Sequence, residues 1–331
     1  MRIVTSPFTD VGTHLAIEEA LLDEAEGSGP ALLLYRNRRA VVFGKNQNAW
    51  REARPGLLAA EGIAAARRSS GGGTVYHDEG NLNYSLILPR AMFHRDRQFR
   101  MLLRTLSGLG LDAELCDGTS LCAGGRKFSG NAFALRRTAG LHHGTFLLSS
   151  DLGALARALE PPAWSVSGRG VPSIRRPIVN LSQIAPEITS DRLMARLGEE
   201  FVAEWGDGSR PGRVSAETIR PAAVAANRAH WTSREWVWGQ SPPACIRGEA
   251  VWPGGWAVSV TVQVTAGKVT RVSLTASNSE APEAQVAEAW LGQSFPPEGL
   301  SADLPRVDTA WAGFLHCFLR GDVYDAHRTQ P

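Results

Sequence analysis

Three consecutive glycines, Gly71, Gly72 and Gly73, lie in the stretch RRSSGGGTVYHDEGNLNYS, residues 67–85, and constrain this 331-residue chain more than any other segment. Glycine has no Cβ, so a run of it reaches backbone torsions closed to other residues and lets a ligand lie against bare amide groups. Arg67 and Arg68 enter the run, Ser69 and Ser70 follow, and the alternating segment 74–77 leaves it. Such a turn is either a seat for an anion or a flat, extended substrate, or only a glycine-rich hairpin, because a lone glycine motif is weak. Residues 74–76 and 83–88 read as strands on either side of a turn at 78–81. The glycines therefore lie between strands, unlike the strand, loop, helix order of a P-loop or Rossmann unit. No GxxxxGK[ST] occurs either.

The length exceeds one small core and suits one large domain with a smaller one. A hydrophobic share of 43% with 21% charged residues is ordinary for a soluble globular protein. The formal net charge of +2 gives no sign of a nucleic-acid or membrane partner. Cys116, Cys122, Cys245 and Cys317 follow neither CxxC nor zinc-finger spacing, so reduced thiols in a cytoplasm are expected. No basic segment followed by an apolar run opens the chain, and no apolar stretch approaches a membrane span.

Periodicity predicts a helix at 14–25 capped by Thr13, then two paired strands within 31–45 around a turn at 36–39, then a helix at 50–61. A helix at 95–108 and a strand at 112–116 follow. The turn at Gly124 and Gly125 places Lys127 on or beside a hairpin whose next strand is 141–148. Helices at 152–159 and 190–205 flank a glycine-bearing segment, 165–171, read as a mobile loop. Trp231, Trp236 and Trp238 form an aromatic patch, and Pro242 with Pro243 marks a domain junction. Alternating strands at 256–265 and 269–276 and helices at 284–291 and 307–319 finish a small α/β unit. The division expected is 1–241 and 246–331.

Lys127 by itself is either a surface lysine in a hairpin or a fixed cation that holds a carboxylate or phosphate and steadies charge developing during acyl transfer. His142 and His143 are adjacent on a strand and point to opposite faces, so they cannot share one metal simply; with His77 they suit hydrogen-bonded structural roles. Val75 and Leu86 could wall an acyl tunnel or merely pack a core.

Three blocks, residues 67–85, GRKFSGNA at 125–132 and LHHGT at 141–145, together resemble the lipoate–protein ligase A family of the biotin and lipoate ligase group. LAIEEALL, VVFGKNQN, VNLSQ and WVWGQSP extend the resemblance, in order, over nearly the whole chain. It implies an α+β fold: a catalytic domain on a mixed β-sheet with a small α/β C-terminal accessory domain. It implies that ATP, with Mg2+, converts lipoate to lipoyl-AMP, and that the lipoyl group passes to a lysine of an apo lipoyl domain. The acceptors implied are the E2 subunits of 2-oxoacid dehydrogenases or the glycine cleavage H protein. Carried over by position, Lys127 is the catalytic residue bridging carboxylate and phosphate, and Arg68, Gly73, Thr74, Val75 and Tyr76 bind ATP and the lipoyl-adenylate. His14 stands where the family usually has asparagine, and residues 117–122 lack its Asn-Asp pair, so the metal ligands stay unassigned. Two alternatives are an ATP-independent octanoyl or lipoyl transferase working through a Cys116 thioester, with Cys122 nearby, and a non-catalytic lipoyl-binding protein. Lys127 and the extra C-terminal domain favour the ligase.

Overall fold

The computed structural model describes residues 1–208, 211–252, 255–277, 281–296, 307 and 309–324. Its first helix runs Val11–Ser28, longer than the periodicity predicts, because Asp10 and not Thr13 caps it. The Asp10 carboxylate accepts from the Thr13 amide and hydroxyl, both at 2.7 Å, and so satisfies an otherwise orphaned donor of the first turn.

Among the described residues the strands form three sheets. The largest has eight, in spatial order Gly212–Ser215, Arg2–Thr5, Ala31–Tyr35, Asn81–Pro89, Ala139–Leu147, Arg126–Leu135, Ser120–Ala123 and Glu114–Cys116. Its first two pairings are parallel and the others antiparallel, which makes it the mixed sheet of an α+β fold. The first helix packs against the centre of this sheet, while Arg95–Ser107 and Ser190–Trp205 pack against each other beside it.

A three-stranded sheet holds Ala64–Arg67, Ala40–Phe43 and Val75–His77. The strands expected to pair, Ala31–Tyr35 and Ala40–Phe43, thus lie in different sheets. Both are buried on both faces, so neither carries the polar stripe that would have marked a two-stranded ribbon with one face in water. The expected helix at 50–61 is also two, Ala49–Glu52 and Pro55–Ala60. Pro55 has no amide hydrogen to donate and holds Arg54 in an extended conformation, which ends the first helix.

The third sheet has four strands, Ser165–Gly168, Ala244–Trp252, Trp256–Thr265 and Lys268–Ala276. Its first strand comes from the segment read as a mobile loop, and pairs antiparallel with Ala244–Trp252. The tryptophans of 231–238 are interior: Trp231 and Trp238 are buried, and Trp238 stacks on Trp50 at 4.6 Å. One apolar core joins Phe43, Trp50 and Trp238 to Val260, Trp290 and Phe318, across the middle and C-terminal sheets. Losing one such aromatic to alanine costs about 3–5 kcal/mol.

Cys116 and Cys122 form a disulfide, which corrects the expectation of four reduced thiols. They lie diagonally across the hairpin Glu114–Cys116 and Ser120–Ala123, in which Cys116 is opposite Ser120 and Cys122 opposite Glu114, with their Cα atoms 6.2 Å apart. Cys245 and Cys317 are free. No helix among the described residues is long and apolar enough to cross a membrane.

Candidate active site

The two arginines ahead of the glycines fasten them. Arg67 is fully buried: Nε and Nη2 donate to the Val237 carbonyl, Nη1 to those of Gly44, Lys45 and Gln47, and Nη2 also to Ser241 Oγ. Arg68 folds around the loop itself. Its Nη2 donates to Gly71 O and Gly73 O, both at 2.6 Å, its Nη1 to Val42 O at 2.9 Å and its Nε to Ser70 Oγ at 3.0 Å. Burial pushes each guanidinium down to about 10, which leaves both charged at neutral pH. Of the three glycines only Gly72 has a left-handed backbone, φ +83°. A Cβ on the facing Gly44 would lie 2.2 Å from Gly72 O, so the two strand ends touch backbone to backbone.

Two cavities open beside this loop. The first, about 280 Å³, is lined by Arg68, Gly72, Gly73 and Thr74 and reaches inward to His14, Tyr35, Asn37, His77 and His143. The second, about 260 Å³, is lined by Tyr76, Phe128, Leu155, Leu159, Arg175 and Arg176. Thr74, Val75, Lys127, Gly130, Thr145 and Ser173 belong to both. Lys127 therefore stands at their junction, on Arg126–Leu135 just after the Gly124 and Gly125 turn. Among the described residues its ammonium makes no hydrogen bond or ion pair, although its backbone is held by Pro177 O and the Val179 amide. Burial lowers its pKa; Asp117 opposes this, while Arg176 and Arg68 add to it. An anion arriving beside it would reverse that shift.

The other expected site residues divide between the cavities. Arg68 and Gly73 line the first alone, Tyr76 the second alone, and Thr74 and Val75 both. Leu86 is fully buried in a core and lines neither. Ser173 joins the glycine loop from the far side: its Oγ accepts from the Thr74 amide at 2.9 Å and from Gln47 Nε2 at 3.0 Å. Arg176 pairs with Asp117 at 2.8 Å across the mouth. The segment 171–176 has no periodicity, so nothing in the sequence singled out either residue.

The inner end of the first cavity is polar. Glu18 accepts from His143 Nδ1 at 2.9 Å, from Tyr35 Oη at 3.2 Å and from Ser85 Oγ. Burial raises its pKa, but His143 and these hydrogen bonds outweigh burial and hold it below the ordinary carboxylate value. An acid three residues after Leu15 and four before Leu22, on the buried face of the first helix, was the signal that could have found it. His142 faces the other way, to Gln98 Oε1 at 2.9 Å and Asn131 Oδ1 at 3.0 Å. Burial pushes His14 down to about 4, against Asn37, Glu18 and Asp10. Burial, with Arg68 and His143, pushes His77 down to about 3.

Cys116 lines neither cavity, and a sulfur held in a disulfide carries no thiolate. The structure thus lacks the nucleophile that a Cys116 thioester requires.

Comparison with known proteins matches residues 10–202 to the lipoyl protein ligase A/B catalytic domain. A crystal structure of lipoate-protein ligase A bound with ATP superposes with a TM-score of 0.61 at 27% identity, covering 72% of this chain and 98% of that one. A bi-partite lipoate protein ligase from Thermoplasma acidophilum, studied with its E2 lipoyl domain, gives 0.61 at 25% identity, covering 72% and 96%. P. falciparum LipL1 in complex with lipoate gives 0.65 at 22% identity, covering 83% and 84%, and shares the fold. With more than half its length inside the family's catalytic domain, and with that fold around its glycine loop, the chain belongs to the lipoate–protein ligase A family.

Proposed function

We propose that this protein is an ATP-dependent, AMP-forming lipoate–protein ligase that transfers a lipoyl group to a lysine of apo lipoyl domains of 2-oxoacid dehydrogenase E2 subunits or of the glycine cleavage H protein. The observation that carries the reading is Lys127, an ammonium without a protein partner among the described residues, at the meeting point of two cavities of similar size. In the first half-reaction a lipoate carboxylate oxygen attacks the α-phosphorus of ATP, a P–O bond forms, and pyrophosphate leaves. Both reactants are anions, and Lys127 offsets their repulsion where the cavities join. In the second, the acceptor amine attacks the acyl carbon, the acyl–phosphate bond breaks and AMP leaves with the electron pair. The same ammonium then steadies the oxyanion of the tetrahedral stage.

The acyl chain occupies the first cavity and the nucleotide the second. Thr74, Val75 and Tyr76 line the nucleotide's cavity while Gly73 lines the acyl cavity, where the adenylate's two halves meet, and the buried Tyr76 hydroxyl, which has no partner among the described residues, is free to bond the nucleotide. Arg68 gives three of its five donors to the loop and a fourth to Val42 O, so it contributes chiefly positive charge and rigidity. Among the described residues no three His, Cys, Asp or Glu side chains gather to hold a metal. Magnesium would come as an ion carried by the nucleotide phosphates, with Glu52, the carboxylate lining the nucleotide's cavity, available to complete its shell and neutralise phosphate charge. We assign residues 1–241 to catalysis and 246–331 to an accessory unit.

The test follows the mass of an apo lipoyl domain incubated with the protein, lipoate, ATP and magnesium. ATP-dependent lipoylation is expected, retained in Cys116→Ser and reduced at least about 100-fold in Lys127→Met. Acyl transfer from an octanoyl carrier protein without ATP, lost in Cys116→Ser, would overturn the reading.

A further inference from the structure

The inner end of the first cavity contains a chain of hydrogen bonds whose direction can be followed. Ser6 Oγ lies 2.7 Å from His14 Nε2, His14 Nδ1 lies 2.6 Å from Asn37 Oδ1, and Asn37 Nδ2 lies 2.9 Å from His77 Nδ1. An amide oxygen only accepts and an amide nitrogen only donates. His14 must therefore carry its proton on Nδ1 and accept the Ser6 hydroxyl at Nε2. His77 accepts from Asn37 at Nδ1, so as a neutral ring it carries its proton on Nε2. That Nε2 is buried and has no hydrogen-bond partner among the described residues, and His77 is 6% exposed on the cavity wall. A buried donor left unmade is costly, and a ligand that supplied an acceptor would remove the cost.

Resting on the ligase reading above, we propose that His77 selects among medium-chain carboxylic acids through a hydrogen bond donated from Nε2, favouring acids that carry an acceptor atom near the end remote from the carboxylate. An acid ending in plain alkyl leaves the donor unpaired. A dithiolane offers sulfur, a weak acceptor, and an ether or hydroxyl oxygen offers a stronger one. The orientation of the Asn37 amide gives the relay its direction: its oxygen faces His14 and its nitrogen faces His77. Burial keeps both rings neutral at physiological pH, so the direction holds there.

The experiment measures kcat/KM for ATP-dependent pyrophosphate release by the full chain with lipoate, octanoate and 6-methoxyhexanoate. The last two have equal chain length and differ by an ether oxygen in place of one distal methylene. In the wild type the ether acid is used at least as well as octanoate. In His77→Phe, which keeps the ring but loses the donor, the ratio of ether acid to octanoate falls about tenfold, about 1.4 kcal/mol. In His77→Gln, whose side-chain amide restores an N–H, the ratio recovers in part. A cooperative thermal unfolding transition like that of the wild type is the check that the variants fold. An unchanged ratio in His77→Phe, or octanoate preferred by the wild type, overturns the proposal while leaving the ligase reading intact. Pyrophosphate release with none of the three acids overturns both.

Discussion

Replacing Arg67 with lysine keeps a cation in place and removes only the guanidinium's fork. Arg67 serves five acceptors, the carbonyls of Val237, Gly44, Lys45 and Gln47 and the hydroxyl of Ser241. A lysine ammonium has three donors, so at least two acceptors lose their partner. Four of these groups, all but the Lys45 carbonyl, lie in the interior, where water does not replace the donor, and losing two of them at about 1–3 kcal/mol each gives roughly 4 kcal/mol in all. With an unfolding entropy of ~2 cal/mol/K per residue, this lowers Tm by roughly 6 °C for a chain of this length. The assay is scanning calorimetry at neutral pH on the wild type and Arg67→Lys. A shift under about 1 °C would refute the reasoning, because it would mean that charge alone, without the planar geometry of the fork, holds these segments together.

Three further outcomes follow. His77 and His14 have pKa values depressed from 6.5 to about 3 and about 4, so they stay neutral in the folded chain while the unfolded chain takes up their protons. Stability is then fully present above about pH 6.5 and lost as pH falls toward 4, at roughly 1.4 kcal/mol per pH unit for each histidine; equilibrium unfolding in urea between pH 7 and 4 should show His77→Phe with a slope shallower by one such proton. Gly44→Ala places a methyl against the Gly72 carbonyl, backbone that cannot swing aside, and should cost about 1–3 kcal/mol and lower lipoylation. Gly27→Ala meets nothing within 4 Å in the first helix and should melt no lower than the wild type.

The helix Ser190–Trp205 was legible to its last residue, because Thr189 caps it and Leu193, Leu197 and Phe201 recur on one buried face. The glycine loop between strands and the lysine beside a hairpin were legible too, since glycine and turn chemistry are local. Strand partners were not. Ala31–Tyr35 and Ala40–Phe43 are apolar on both faces, and such a run states that it is buried without stating against what. The strand Ser165–Gly168 exists because Ala244–Trp252, some 80 residues later, offers it an edge. The same non-locality hid the inner end of the first cavity: Glu18, Asn37, His77 and His143 come from four elements, and only the fold makes them neighbours.

That borrowed strand ties the C-terminal sheet to the mouth of the site. Ser173 lies five residues beyond Gly168 and grips the glycine loop through the Thr74 amide, while Val171 donates to Asn46 O on the neighbouring loop. Five residues in extended form span at most about 18 Å, which bounds how far sheet and site can separate. Beyond that reach a displacement of the C-terminal sheet becomes a pull on Ser173, and through it on the chamber around Lys127.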